Sequence, residues 1–375
     1  MRGSAATGEV LDRARLNRAT LARQLLLARA ALPVLDAVEQ VVALQAQVPN
    51  PPYLGLWSRL TDFRREHLTE LMESRQVVRA TMLRATLQVM SARDFLDFRT
   101  PVQPALTKAM RGFMGKRAEG LDIAALTAEA RALVGERPRG YGELGAELLA
   151  SRPNRDASAL AYITLRTHLP VVQVPPGGTW GSGANATYAN ADEWLGKEPS
   201  PAAEPDGLVL RYLAAFGPAS VKDVQSWSGL TGLGTVLKRL RPELRVFRDE
   251  QGTELFDVPD GPLPDAGTTA PPRFLPEWDN LLLAHADRSR IIADEHRTRV
   301  YRPGARVLPT LLVDGFVAGV WKIRKERGSG AVLAVETFGG LGRADLAAVE
   351  AEGRRLLEFA EPEAAGHEVE VAQAD

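Results

Sequence analysis

The chain of 375 residues contains no cysteine. This absence excludes disulfides, thiol nucleophiles, thiolate zinc sites and iron–sulfur clusters. It is typical of proteins that fold in a reducing compartment, so we expect a cytoplasmic location. Long hydrophobic runs are missing too. No run reaches the about 18 apolar residues that a membrane helix needs, and the first ten residues lack the apolar core of a signal peptide. We therefore expect no membrane contact.

An excess of charge of either sign is also missing. The chain has 46 lysine and arginine residues and 47 aspartate and glutamate residues, which gives a net charge of −1. Any surface that binds nucleic acid must therefore come from local clustering of basic residues. The five histidines are scattered without the spacing of a metal ligand set. We predict no metal and no other cofactor.

What the sequence does contain is a run of helices followed by a β-hairpin, three times over. The first copy has predicted helices from Asn17 or Thr20 to about Ala30 and at 35–44, 53–60 and 65–73, then strands at 77–81 and 84–90. The second has helices at 121–134, 141–150 and 157–168 and a strand at 170–175. The third has helices at 206–216, 221–228 and 233–240 and a hairpin at 245–258. This order is the layout of a winged helix.

A different region follows the Pro/Gly/Thr linker at 259–272. Strands at 307–314 and 316–325 meet at Asp314-Gly315, a strong hairpin signal, and a strand at 331–338 and a helix at 346–359 follow. The tail is acidic and is expected to fray. The predicted fold class is α+β and mostly helical, with three tandem winged-helix domains and a C-terminal antiparallel β-hairpin region. The predicted units are 15–91, 92–203 (a connecting helix and the second winged helix), 204–260, 273–360 and the tail 361–375.

The most distinctive short stretch is Leu44-Gln45-Ala46-Gln47. The prolines that follow stop a helix, so Gln45 and Gln47 are predicted at or just past a helix end. In an extended chain both side chains point to the same side. Two neutral amides, each a donor and an acceptor, would then converge on one spot. The alternative interpretation is structural, with the amides capping carbonyls or binding water at the helix end.

Basic residues gather in the C-terminal region. The cluster consists of Arg288, Arg290, Arg297, Arg299, Arg302 and Arg306, followed by Lys322, Arg324, Lys325 and Arg327. Such clustering in a near-neutral chain is typical of a phosphate-binding surface. The alternative is a solvated face on which these cations pair with Asp287, Asp294 and Glu295.

Together these motifs resemble the AlkZ and YcaQ family of winged-helix DNA glycosylases. Gln45-Ala46-Gln47 is similar to the Gln-x-Gln catalytic motif of the AlkZ branch, whereas the YcaQ branch has Asp at the second position. The resemblance is also carried by segments 216–220, 227–230, 275–283, 287–290, 308–309 and 313–315. It runs from about residue 16 to residue 359. At Gln88 the chain departs from the family, which often has His there, and no role is transferred to that position.

The resemblance implies a monofunctional glycosylase that acts on alkylated purines in double-stranded DNA, including bulky adducts and interstrand crosslinks, in an azinomycin-like self-resistance setting. It makes Gln45 and Gln47 the catalytic residues. It also implies a C-shaped arrangement around an open DNA channel, because a crosslinked base is tethered and cannot be flipped into a pocket. We predict that Arg297, Arg299, Arg302, Lys322 and Arg324 contact DNA, and we expect a monomer.

Two other functions fit the same residues. The chain could be a winged-helix transcription regulator, in which case the glutamines are structural, or a protein that sequesters a natural product. Regulators that read palindromes are usually dimers with one or two such domains, so three copies favour enclosing DNA.

Overall fold

The computed structural model describes residues 9–183, 185–325 and 330–374. It has an α+β fold, as predicted. The α-helices are α1 (Arg13–Arg23), α2 (Val34–Gln40), α3 (Pro51–Arg59), α4 (Arg65–Glu73), α5 (Ala92–Phe98), α6 (Gln103–Met114), α7 (Ile123–Glu136), α8 (Tyr141–Ala150), α9 (Ala157–Ile163), α10 (Ala191–Leu195), α11 (Asp206–Phe216), α12 (Val221–Ser228), α13 (Leu233–Leu240), α14 (Arg297–Val300) and α15 (Arg343–Ala360).

The strands form four sheets. They are β1 (Val10–Leu11), β2 (Leu44–Gln45), β3 (Val77–Thr81), β4 (Leu87–Ser91), β5 (Arg139–Gly140), β6 (Val171–Val174), β7 (Thr187–Asn190), β8 (Arg245–Asp249), β9 (Glu254–Asp257), β10 (Arg273–Leu275), β11 (Tyr301–Arg302), β12 (Arg306–Val307), β13 (Thr310–Val313), β14 (Phe316–Lys325), β15 (Ala331–Thr337) and β16 (His367–Gln373). The strand orders are β1-β8-β9, β2-β4-β3-β6-β7-β5, β10-β13-β14-β15-β16 and β11-β12.

The six-stranded sheet joins the first two predicted units. Strands β2, β3 and β4 come from residues 15–91, and β5, β6 and β7 come from residues 92–203. The junction is narrow, because β3 and β6 pair only through Arg79 and Gln173. The first two helix-and-hairpin copies therefore share one sheet, while the third copy pairs its hairpin β8-β9 with β1.

Helix α1 connects distant parts of the fold, although its predicted bounds were wrong. Asp12 caps it by accepting a hydrogen bond from the Arg15 backbone nitrogen at 2.7 Å, so the helix begins before Asn17. It ends before Leu25, whose φ of 57° lies in the left-handed region. Its buried polar side chains reach distant elements: Asn17 donates 2.8 Å hydrogen bonds to the carbonyls of Arg290 and Gly315. The helix thereby ties the C-terminal region to the rest of the chain.

The C-terminal sheet confirms the predicted hairpin and corrects the predicted tail. Asp314 and Gly315 have φ values of 45° and 80°, and they join β13 to β14 as an antiparallel pair. The acidic tail does not fray as expected, since residues 367–373 form β16 and pair in parallel with β15. Apolar and acidic residues alternate along this strand: Val369 packs toward Gly353 of α15, while Glu368 and Glu370 lie on the other face.

Other bounds differ where a local signal was overlooked. The predicted strand at 307–314 is split into β12 and β13, because Pro309 has no N–H for a ladder. The single connecting helix predicted at the start of the unit 92–203 is two helices, α5 and α6, separated around Pro101. The helices of the third copy, α11, α12 and α13, have the predicted bounds.

Candidate active site

The two glutamines lie on a strand and the residues just after it, not at a helix end as predicted. Helix α2 ends at Gln40, and Val42 has a φ of 68°, which breaks the helical path. Leu44 and Gln45 then pair with Val89 and Gln88 of β4. The hairpin β3-β4 offers a free edge, and backbone pairing with that edge outweighs the helical periodicity of the sequence.

Both amide groups are anchored on the turn between β3 and β4. The Oε1 atom of Gln45 accepts a hydrogen bond from Arg84 Nη2 at 2.7 Å, and the Oε1 atom of Gln47 accepts one from the Leu87 backbone nitrogen at 2.9 Å. Gln45 is buried and Gln47 is half-buried. Each amide oxygen keeps a second lone pair, and no hydrogen bond from either amide nitrogen occurs among the described residues. The structure therefore brings the two predicted residues to one turn.

The backbone between the glutamines is held by a buried arginine. Arg79, on β3, donates to the Ala46 carbonyl from Nε at 3.0 Å and from Nη2 at 2.5 Å, and it also contacts the amide oxygen of Gln173. Burial lowers the pKa of Arg79 to about 10, so its guanidinium remains charged at neutral pH. Gly178 packs on this side chain so closely that a Cβ there would lie 2.6 Å from Arg79 Cδ. The loop after β6 thus restricts the position of the Arg79 side chain.

Gln88 adds a third amide to the same face of the sheet. It pairs directly with Gln45, so the two side chains project to the same side. Its nitrogen donates to Thr86 Oγ1 at 2.7 Å, but its buried Oε1 has no hydrogen-bond partner. An unpaired buried carbonyl is costly, and it leaves an acceptor available beside Gln45.

The hairpin β11-β12 is tied to the glutamine strand through residues 276–280. Trp278 Nε1 donates to the Ala305 carbonyl at 2.9 Å in the turn of this hairpin. Two residues further on, the Asn280 amide contacts the carbonyl of Ala43, which directly precedes β2. Asp279 is held between them by a buried pair with Arg59, with both oxygen–nitrogen distances at 2.8 Å. The hairpin and the glutamines are therefore linked by a short, rigid segment.

The five predicted DNA contacts lie on or near this hairpin and the C-terminal sheet. Three of them are paired with carboxylates: Arg297 with Asp294 at 3.1 Å, Arg299 with Glu336 at 3.4 Å and Arg324 with Glu370 at 2.5 Å. Arg302 and Lys322 are exposed and form no ion pair with a described residue. For Arg297, Arg299 or Arg324 to bind DNA, its ion pair with a carboxylate must break and be replaced by one with a phosphate.

Sequence reasoning missed the residues that orient the glutamines. Arg79 and Arg84 contact the motif across 33 and 39 positions of sequence, and Asn280 contacts Ala43, just before the motif, across 237 positions. A signal was available for Arg79, because a charged residue inside the apolar strand Val77–Thr81 needs a buried partner. No local pattern marks Arg84 or Asn280.

Comparisons with known proteins identify the family of the chain. A family model described as DNA glycosylase AlkZ-like matches residues 38–359. A curated protein of Streptomyces sahachiroi, "Interstrand DNA cross-link repair glycosylase", is 30% identical over 177 residues, which are 44% of this chain and 44% of that protein. The match thus spans less than half of that relative.

The likeness to a solved structure extends over nearly the whole chain. The structure titled "Streptomyces sahachiroi DNA glycosylase AlkZ" has a TM-score of 0.80 and 21% identity to this chain, covering 97% of this chain and 100% of that one. This likeness shows a shared fold. Within the described residues, no helix has the length and apolar character of a membrane span. The same residues contain no group of three or more His, Asp or Glu side chains placed to hold a metal ion.

Proposed function

The chain belongs to the AlkZ-like family of DNA glycosylases, and from this premise we propose that it hydrolyses the N-glycosidic bond of cationic N7-alkylated purines in double-stranded DNA. The proposal includes bulky natural-product adducts and interstrand crosslinks, in a self-resistance role like that against azinomycin. The Streptomyces sahachiroi relative is described as an interstrand DNA cross-link repair glycosylase, which supports crosslinks as substrates.

The chemistry of such a lesion suits neutral side chains. An N7-alkylated purine already carries a positive charge, so it leaves without protonation and no strong acid is needed. What remains is to hold a water molecule against an oxocarbenium-like sugar and to stabilise the developing charge. An amide oxygen accepts a hydrogen bond from that water, but it cannot take the proton at neutral pH. As the water oxygen bonds to C1′ and the base leaves as a neutral alkylpurine, the proton passes to solvent water or to a DNA phosphate. Unmodified purines, which are poor leaving groups, would not be cleaved.

One observation carries the assignment of Gln45 and Gln47 as catalytic residues. Their amide oxygens are fixed by Arg84 and by the Leu87 backbone, and Arg79 clamps the carbonyl between them. Fixed dipoles stabilise a transition state without reorganising during the reaction. The free lone pair on each oxygen is the acceptor for the attacking water.

The proposal also concerns how DNA reaches the two glutamines. We propose that the three helix-and-hairpin units act as winged helices around an open, C-shaped channel, and that the hairpin β11-β12 probes the lesion from a groove. Of the five candidate contacts, exposed Arg302 and Lys322 can bind a phosphate without first breaking an ion pair with a described carboxylate. The protein would work as a monomer.

The experiment is to incubate the protein with duplexes that carry N7-methylguanine or a nitrogen-mustard crosslink and to quantify free modified base and abasic sites. We expect release from both cationic substrates and none from an unmodified duplex. No release from any cationic adduct would refute the proposal. A sequence-specific footprint without base release would instead support a regulator, and tight binding of a natural product without DNA would support sequestration.

A further inference from the structure

Helix α6 and the residues directly after it carry an unbalanced positive charge. Residues 100–118 contain four cations, Lys108, Arg111, Lys116 and Arg117, and no carboxylate, although the whole chain has 46 lysine and arginine residues against 47 aspartate and glutamate residues. Lys108, Arg111 and Lys116 are exposed, and none of the three forms an ion pair with a residue that the structure describes. The surface of α6 is therefore a local basic patch on a chain without excess charge.

Three neighbouring cavities form a groove along this helix, which we call the α6 groove. The middle cavity is lined by Thr107, Lys108 and Arg111. It shares Lys108 with the cavity on one side and Thr107 and Arg111 with the cavity on the other. Glu119, at the far end, is the one carboxylate among the described residues that line the three cavities. The charge of Lys108 and Arg111 is therefore open to a ligand in the groove.

The α6 groove begins next to the turn that holds the glutamines. Gly229, directly after α12, is placed so that a Cβ there would lie 3.4 Å from Ala105 Cβ of α6 and 3.4 Å from Arg84 Cα. Arg84 in turn donates to Gln45 Oε1 at 2.7 Å. Lys108 follows Ala105 by about one helical turn and lines the same cavity as Gly229. Gly229 and Arg84 thus link this end of the groove to the candidate active site.

Helix α13, which the proposed winged-helix arrangement would present to DNA, offers less free charge. Arg239 is paired with Asp206 at 2.5 Å. Arg241, the residue directly after α13, is paired with Glu254 at 2.7 Å. Of the cations at this end of the helix, exposed Lys238 alone has no ion pair with a described residue. The charge of the two helices therefore favours α6 over α13 as a contact for an anionic partner.

We propose that the backbone of one DNA strand lies along the α6 groove and that Lys108 and Arg111 bind its phosphates, a few nucleotides from the lesion. This inference rests on the proposed function, because it requires DNA at the glutamines. The 12 residues of α6 span about 18 Å, which matches about five phosphates of one strand at about 3.4 Å each along the duplex axis. Such contacts position the duplex without reading its sequence. The groove therefore suits an enzyme that acts on lesions in any sequence context.

The test is the salt dependence of binding to a duplex that carries a tetrahydrofuran abasic analogue. The logarithm of the binding constant falls with the logarithm of the salt concentration, and each lost phosphate contact makes this slope shallower by about 0.9. We expect that change in Lys108→Gln and in Arg111→Gln, and about 1.8 in the double variant. Lys108→Arg, which keeps the charge, should keep the wild-type slope. The matched control is Lys222→Gln, because Lys222 is also exposed but lines a cavity with Asp249 and Glu250, and it should keep the wild-type slope.

Wild-type slopes in the single and double variants would overturn the proposed role of the groove, and so would an equal change in Lys222→Gln. Release of N7-methylguanine by the wild-type protein is measured in parallel. Base release together with unchanged slopes in the variants would leave the proposed function standing and refute the phosphate contacts of the groove. Shallower slopes in the variants without base release by wild type would refute the proposed function and support DNA binding by the groove.

Discussion

Because Arg79 holds the Ala46 carbonyl between the two glutamines, its substitution should lower the rate of base release much more than the stability of the fold. Arg79→Met keeps the length of the side chain but removes the donors that hold the Ala46 carbonyl at 3.0 and 2.5 Å. Hydrogen bonds that involve a charged group contribute about 1.5–3 kcal/mol each. Removal of a buried charge without a carboxylate partner offsets part of that loss. We therefore expect the free energy of unfolding to fall by only about 1–3 kcal/mol.

The effect on the rate should be larger. Ala46 lies between the two glutamines, and a displacement of about 1 Å at reacting groups costs about 100-fold in rate. We expect the single-turnover rate of base release from N7-methylguanine DNA to fall by about that factor in Arg79→Met, with DNA affinity unchanged.

Arg99→Met is the matched control for this experiment. Arg99 is also buried, its burial likewise lowers its pKa to about 10, and it holds the Thr167 carbonyl at 2.7 Å away from the glutamines. It should lose comparable stability and retain the wild-type rate below its melting temperature. A rate for Arg79→Met within threefold of wild type, or an equal loss in Arg99→Met, would refute the positioning role of Arg79.

Three further predictions concern stability. Glu352→Gln should lower the free energy of unfolding by about 3–5 kcal/mol in urea titrations, because this buried carboxylate neutralises Arg29 at 2.7 Å and other arginines; a loss below about 1 kcal/mol would contradict this. Burial lowers the pKa of His285 to about 3, so between about pH 6.5 and pH 3 the unfolded chain protonates it and the folded chain does not. Stability should fall on acidification through this range by up to about 1.4 kcal/mol per pH unit. An unchanged slope in His285→Asn would rule this out. Gly353→Ala should speed hydrogen exchange across residues 367–373, because its Cβ would lie 2.9 Å from Leu333 and 3.1 Å from Val369; unchanged exchange would show that β16 does not depend on this contact.

Much of the third helix-and-hairpin copy was predictable because its signals are local. Ser220 and Asp223 form a capping box at the start of α12, and Gly229, with φ of 81°, ends that helix. These signals need no distant partner. In the C-terminal sheet the Asp314-Gly315 turn is equally local.

The elements that were predicted wrongly depend on distant contacts. The polar face of α1 looks unsuited to burial, but Asn17 bonds to carbonyls 273 and 298 positions away. The glutamine strand forms because β4 pairs with it. The tail forms a strand because it pairs with β15 and its Val369 side chain packs against α15. Periodicity within a segment cannot reveal such partners.

In the candidate site, too, local sequence signals identified some residues and only distant contacts identified the others. Gln45 and Gln47 were found through a short motif and its resemblance to a family. Arg79 and Arg84, which orient them, lie on a neighbouring strand and turn and became apparent only from the fold.

The central claim is that the two amides perform the chemistry rather than support the fold. The most direct test is the single-turnover rate of N7-methylguanine release by Gln45→Ala and Gln47→Ala, with DNA affinity measured by anisotropy on the same proteins. We predict that each variant binds the duplex as wild type does and loses about 100-fold or more in rate. Wild-type release by both variants, or a loss of rate explained entirely by lost binding, would contradict the claim.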